Sequence, residues 1–295
     1  MQTRTIPATL IREAVIDSIG EIYCQPHMQT IDLLQKALKR ESDEIARDML
    51  GTILENARVG AETGIPVCQD TGLLIVFARI GVQVQIEEGT LRGIIESAAA
   101  EAWKKYYLRD SIAWDPLRGR ASSEENGSGL ERPSSKEYLP VILHMEQVEG
   151  DELRLDICLK GGGAENCSAL KMFNPTATID EIEGFVVDTI VKAGGKPCPP
   201  VIVGVGIGGD FELCAQLAKK ALVCGREHES GDEKLRNMEH RILDKINQKG
   251  RGVQGFAGKT TALEVRILMA PCHIASLPVA VNVECHSHRC ASRVL

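Results

Sequence analysis

Ten cysteines, at positions 24, 68, 158, 167, 198, 214, 224, 272, 285 and 290, are the side chains here with the most chemistry open to them. A thiolate is both nucleophile and metal ligand. No two of them form a CxxC pair, so the compact zinc-ribbon and thioredoxin spacings are absent, and any metal site has to be assembled from distant segments. Three sit where a packing role is hard to see: Val67-Cys68-Gln69-Asp70-Thr71-Gly72, Lys196-Pro197-Cys198-Pro199-Pro200 and Asn282-Val283-Glu284-Cys285-His286. Each falls at a strand edge or turn. Prolines on both sides of Cys198 fix the backbone and exclude helix, so its thiol is presented from a rigid loop. By contrast, Cys214 and Cys224, within or at the end of an amphipathic helix, and Cys158, on a strand, read as small buried thiols.

Two glycine motifs compete for a functional reading. Gly204-Val205-Gly206-Ile207-Gly208-Gly209 satisfies GxGxxG between an apolar strand and a helix, the context of a dinucleotide fingerprint, and a binding module built on Gly204, Gly206 and Gly209 is the alternative from another functional class. Against it, no strand-ending acid follows about 20 residues on; Cys224-Gly225-Arg226-Glu227-His228 stands there. A tight strand-to-helix turn also explains the glycines. Gly258-Lys259-Thr260 looks like the end of a phosphate-binding loop, but Val253 occupies the place of its first glycine. That segment reads as an ordinary glycine turn.

The elements that must position these groups alternate. The first 60 residues read as helical, with Ile45, Met49, Ile53 and Ala57 recurring after Ser42 as N-cap, and Gly60 and Gly64 marking the stop. A second helix follows Thr90, with Leu91, Ile94, Ile95, Ala98, Ala102, Trp103 and Tyr106 on one face. Leu73 to Phe77 reads as a buried strand. Leu153, Leu155, Ile157 and Leu159 alternate with Glu152, Arg154, Asp156 and Cys158 as in a half-buried strand, and with Val141 to His144 before it the pair suggests an antiparallel hairpin. Later come helix near Ile179 to Ala193, strand Val201 to Val205, helices Phe211 to Leu222 and near Glu233 to Gln248, then strands near Leu263 to Leu268 and Pro278 to Cys285. Cys285 ends the row Val279, Val281, Val283. The order is α/β, with a mixed sheet, amphipathic helices, a helical N-terminal segment and one large domain over 1–295. Residues 115–137, rich in Gly, Ser, Pro and charge, read as a surface excursion.

Composition bounds the function. With 43% hydrophobic, 25% charged and 4% aromatic residues the chain is globular, and a net charge of −7 does not favour phosphate backbones or anionic membranes. No apolar run approaches the roughly 20 residues a membrane helix needs, and MQTRTIPATL lacks the apolar centre of a signal peptide, so a soluble cytoplasmic protein is expected.

Four blocks in order, GIPVCQDTG, KGGGAENCSALKM, AGGKPCPPVIVGVGIGGDFE and PCHIASLPVAVNVEC, resemble the α subunit of class I, iron–sulfur fumarate hydratases and L-tartrate dehydratases, over nearly the whole chain. The resemblance implies a [4Fe–4S] cluster held by three cysteines, matching Cys68, Cys198 and Cys285. It leaves one iron open as Lewis acid for the hydroxyl of a C4 dicarboxylate, with fumarate/malate ahead of L-tartrate. It further implies Asp70 and His273 as catalytic groups, and Gln69, Arg109 and Gly162 as substrate-binding ones. Other arginine, lysine and threonine groups of the family site lie in a region that is a separate β subunit in split forms. A β partner is therefore expected. Ala164, Cys167 and the tail His286-Ser287-His288-Arg289-Cys290 depart from the family pattern, and the excursion at 115–137 is longer than it expects. Cys167 and Cys290 read as further thiols, redox-sensitive or simply packed.

Overall fold

The computed structural model describes residues 3–109, 111–113, 139–223 and 232–295. The excursion expected at 115–137 and Cys224 lie outside the described residues. The elements run β1 (Arg4–Ile6), α1 (Ala8–Ile22), α2 (Met28–Arg40), α3 (Glu44–Thr63), β2 (Leu73–Gly81), β3 (Val84–Ile86), α4 (Leu91–Lys105), β4 (Ile142–Val148) and β5 (Leu153–Lys160). Then come α5 (Gly162–Glu165), β6 (Ala169–Phe173), α6 (Ile179–Ala193), β7 (Val201–Gly208), α7 (Phe211–Val223), α8 (Glu233–Lys249), β8 (Ala262–Ala270), β9 (Leu277–Glu284) and β10 (Cys290–Val294). This is the mixed α/β order that the alternation of periods predicts. By contact the chain divides into two compact units, each built from separated segments.

The first unit comprises Met1–Tyr23, Cys68–Leu159 and Ala291–Leu295. Its four-stranded sheet has the order β10-β5-β2-β4, with β2 and β4 parallel. The expected hairpin between β4 and β5 is therefore not formed: β2 lies between them. The reason is the run Leu74 to Phe77, buried on both faces and needing a neighbour on each edge. Gly81 makes the insertion possible, since a Cβ there would stand 2.4 Å from the Gly150 carbonyl oxygen. Nor is β5 half-buried. Asp156 and Cys158 are as buried as its leucines, and Asp156 answers its burial with Arg154 Nε at 3.0 Å and the Ser292 hydroxyl at 2.5 Å. Helix α4 begins where predicted, with Thr90 Oγ1 accepting from Gly93 N at 3.1 Å, and packs Ile95, Ala98, Ala102 and Trp103 into one apolar cluster with Ile11, Val15 and Ile19 of α1.

The second unit comprises Cys24–Val67 and Lys160–Cys290. Its sheet has the order β6-β9-β7-β8, with β7 antiparallel to β9 and parallel to β8. All eight residues of β7 are buried, as are Val279, Val281 and Val283 of β9. Helix α7 packs on β7 with almost no intervening side chain: a Cβ on Gly204 would meet the Ala218 carbonyl oxygen at 2.1 Å, and one on Gly206 the Cys214 carbonyl oxygen at 2.0 Å. Helix α3 is capped by Asp43 rather than Ser42, Asp43 Oδ1 accepting from Ala46 N at 2.9 Å, while Glu41 Oε1 takes the N–H groups of Ser42 (2.9 Å) and Asp43 (3.1 Å). Its buried stripe keeps the expected Ile53 and Ala57 but has Ala46 and Leu50 in place of Ile45 and Met49, and Ile45 is exposed. Gly64 ends it in the left-handed conformation at φ 70°.

Candidate active site

In the first unit the residues from Cys68 to Gly72 form the turn that leads into β2. Asp70 Oδ1 accepts the Gly72 N–H at 2.9 Å, and the Asp70 N–H points at Cys68 Sγ, 3.4 Å away. The carboxylate is thus oriented by its own turn. Arg109, three residues beyond the C-cap of α4, is fixed by its backbone: its N–H donates to Thr71 Oγ1 at 3.0 Å. Among the described residues its guanidinium makes one long contact, 3.5 Å, to the Gln69 carbonyl oxygen, and its planar fork suits a carboxylate. Cys68, Gln69, Asp70 and Arg109 lie together in this unit.

In the second unit three loops meet at one end of the β7–β9 pair. Cys198, on the loop from α6 to β7, is exposed and adopts φ 55°, a left-handed conformation that costs a non-glycine residue about 1–3 kcal/mol and concentrates at functional sites. His286, next to Cys285, donates from Nδ1 to the Cys198 carbonyl oxygen at 3.0 Å. Gln254 donates both its side-chain Nε2 (2.8 Å) and its backbone N–H (2.9 Å) to the Pro199 carbonyl oxygen. These bonds place the Cys198 and Cys285 loops side by side. Cys285 Sγ lies 3.0 Å from Ser287 Oγ. Burial first, and then the neighbouring Glu284 carboxylate, push the Cys285 thiol up to about 11.

Beneath Cys285 lies a charge network that reading the sequence missed. Lys160 and Glu284 are almost fully buried, with Lys160 Nζ 3.7 Å from Glu284 Oε2, 3.4 Å from Glu165 Oε2 and 3.5 Å from the Gly161 carbonyl oxygen. Lys219 Nζ reaches Glu165 Oε1 at 2.5 Å, and Asn282 Nδ2 donates to Glu165 Oε2 at 2.9 Å. Burial would raise Glu165, but Lys219 and Lys160, helped by hydrogen bonds from Lys219 and Asn282, hold it below the ordinary carboxylate range. The available signal was a charged residue closing each of two apolar strands, Lys160 on β5 and Glu284 on β9. Gly162 opens α5, between Lys160 and Glu165, so it belongs to this end of the unit.

His273 does not. It lies in the loop before β9, and the Gly209 N–H bond to the Pro271 carbonyl oxygen, 3.2 Å, ties that loop to the far end of β7. The eight residues of β9 rise about 3.3 Å each, which separates the two ends by roughly 25 Å. In this unit, then, His273 and the Cys198–Cys285 loops occupy opposite ends of the sheet.

Both glycine motifs have structural explanations. The GxGxxG glycines admit the backbone of α7, and the N-terminus of that helix is occupied by its own carboxylate, Asp210 Oδ1 accepting from Glu212 N (3.1 Å) and Leu213 N (2.8 Å). Lys259 N donates to Glu41 Oε2 at 2.9 Å, so the second motif also binds a carboxylate of this chain.

Thiol donors fit an iron–sulfur cluster, whose irons take thiolates. The nine described cysteines are free of disulfides, and Cys68, Cys198 and Cys285 are each at least partly exposed, whereas Cys158, Cys214 and Cys290 are buried. Among the described residues no three His, Cys, Asp or Glu side chains converge as a single-ion site. No described helix is long and apolar enough to cross a membrane.

Comparison with known proteins gives one consistent answer. The family model for fumarate hydratase (Fumerase) matches residues 12–294. A Methanocaldococcus jannaschii protein provisionally named L(+)-tartrate dehydratase subunit alpha is 39% identical over 95% of this chain and 95% of its own length. The L(+)-tartrate dehydratase subunit alpha of Escherichia coli strain UTI89 is 27% identical over 88% of this chain and 82% of its own. A Geobacillus stearothermophilus protein provisionally named fumarate hydratase class I is 33% identical over 86% of this chain but only 49% of its own length.

Proposed function

The chain belongs to the fumarate hydratase (Fumerase) family, and on that premise we propose that it is the α subunit of a hydro-lyase that reversibly adds water to, or removes it from, a C4 dicarboxylate. In this reading Cys68, Cys198 and Cys285 are the three thiolates of a [4Fe–4S] cluster. When bound, such a cluster supplies an iron with an open position that acts as a Lewis acid on the substrate hydroxyl. The observation that carries the reading is the joining of the Cys198 and Cys285 loops through His286, with Cys198 held in a strained, exposed conformation.

The chain's own residues supply binding and proton handling. Arg109 offers its guanidinium fork to one substrate carboxylate, and Gln69 lines the same turn. Gly162, without a side chain, lets the backbone approach the ligand closely. Asp70, oriented by the Gly72 N–H, is assigned to hold or move the proton at the carbon next to the hydroxyl-bearing one. His273 is retained as a catalytic candidate, and its place at the far end of β9 makes it the first assignment to test.

The relatives named subunit alpha, and the match to about half of the Geobacillus protein, support a β partner that completes the site. Fumarate/malate is the leading substrate pair. L-tartrate is the second reading, favoured by the names of the M. jannaschii and E. coli relatives. The test is anaerobic co-production with a β partner, iron and sulfide analysis, and assay on fumarate, malate and L-tartrate. Cluster content with turnover of one of these acids is expected; a folded pair with neither ends the proposal.

A further inference from the structure

We propose that Lys160 and Glu284 are a charge-matched pair of positioning residues that orients Cys285 and sets the electrostatic potential at its sulfur; this rests on the reading of Cys285 as a cluster ligand.

Stability gives little reason to bury this pair, because desolvating two charges commonly cancels their attraction. Its geometry is also unlike that of a pair built for stability. Elsewhere in the same unit the buried Glu183 is gripped at 2.6–2.9 Å by Arg241 and Lys245, both of which keep substantial contact with water. Lys160, by contrast, is itself buried. Its ammonium stands 3.4–3.7 Å from Glu165, Glu284 and the Gly161 carbonyl oxygen, and among the described residues the buried Glu284 Oε2 accepts no hydrogen bond. The cation is thus shared among the end of β5, the glycine run and the end of β9.

What the pair touches explains this placement. Glu284 Oε1 accepts the N–H of Cys285 at 3.2 Å, fixing the peptide that carries the thiol. A carboxylate so close to a thiolate opposes the thiolate's charge, and the Lys160 ammonium compensates within the same low-dielectric pocket. Fixed charges and hydrogen bonds around ligating sulfurs tune cluster potentials, and groups that hold ligands typically govern metal retention by about 10–100-fold.

The experiment uses the chain co-produced with its β partner and anaerobically reconstituted with iron and sulfide, as wild type, Lys160→Met, Glu284→Gln, the double variant and Lys160→Arg. Two quantities are read: the rate of iron release to a chelator, and the cluster's midpoint potential by titration monitored with electron paramagnetic resonance. Lys160→Met should lower the potential and speed iron release about ten-fold or more. Glu284→Gln should raise the potential, the double variant should return close to wild type, and Lys160→Arg should preserve it. The opposite signs separate this role from a merely structural one, and should Lys160→Met fail to fold, Glu284→Gln and the double variant still carry the contrast. Potentials that do not move, or that move in the same direction in both single variants, overturn the proposal while leaving the cluster reading intact. A folded wild-type pair that takes up no cluster overturns both.

Discussion

The two loop clusters that carry the candidate residues are built in opposite ways. In the first unit the Cys68 turn closes on itself: Asp70 meets Cys68 and Gly72, each two residues away, and Arg109 follows a helix whose cap and stripe are written in its own sequence. In the second unit the bond that joins the Cys198 and Cys285 loops spans 88 residues, the one from Gln254 to the Cys198 loop spans 55, and the Asn282–Glu165 bond in the charge network below spans 117. A local turn can be altered chemically while the fold persists, whereas a cluster assembled from remote strands shares its stability with its chemistry. Variants in the Cys68 turn should therefore separate activity from stability, and variants near Cys285 should move both.

The largest effect tests the premise common to both clusters. Cys68→Ser, Cys198→Ser and Cys285→Ser should each lose cluster iron and sulfide and reduce turnover about 10³-fold or more, the loss expected when a Lewis acid worth several kcal/mol is removed. The buried Cys214→Ser should keep its iron; if all four behave alike, the ligand assignment is wrong. Next, Lys160→Met leaves Glu284 and Glu165 short of a buried cation and should destabilise the chain by about 3–5 kcal/mol in urea unfolding. Glu284→Gln added to it should recover part of that loss, and a strictly additive double variant would contradict coupling between the two.

In the Cys68 turn the expectation reverses. Asp70→Asn retains an oxygen for the Gly72 N–H, so the unfolding midpoint should hold while kcat falls about 10²–10⁴-fold. A parallel loss of stability would erase the contrast between the clusters. Arg109→Lys keeps the charge but not the fork, and should raise KM about ten-fold with a smaller change in kcat; steady-state kinetics on the chosen acid decides it.

The smallest effect comes from Glu183, which is remote in chemistry and serves as a control on the charge argument. Burial would raise its carboxyl, but hydrogen bonds and charge from Lys245 and Arg241 leave it below its ordinary value of 4.5. A depressed carboxyl contributes stability above its unfolded value and loses it as pH falls through the folded one. Glu183→Gln should therefore cost about 1 kcal/mol at neutral pH, because its partners are partly exposed, and should flatten the acid limb of the stability profile below pH 4.5. An unchanged acid limb would assign the loss to packing.

Much of this molecule follows from local pattern. Helix α6 has the predicted bounds and begins with a capping box between Thr178 and Glu181; α4, the cores of β2, β7, β8 and β9, and the burial of Cys214 also follow from periodicity. Where the reading failed, a neighbour in space intervened. The cap of α3 is Asp43, one residue beyond the expected Ser42, and Glu41 folds back onto the N–H groups of both. The β4–β5 hairpin gave way because the doubly buried β2 needed two neighbours, and the half-buried face of β5 disappeared because Ser292, far along the chain, satisfies Asp156.

By itself the sequence determined the kinds of donor this protein offers and the turn that orients Asp70, because cysteine chemistry, proline rigidity and Asx turns act within a few residues. Only the tertiary structure decided which loops meet. It set Cys198 against Cys285, placed Lys160 beneath them and left His273 at the other end of the sheet. Strand order and register fix those relations, and they depend on how β7 and β9 pair within one sheet, which no single segment encodes.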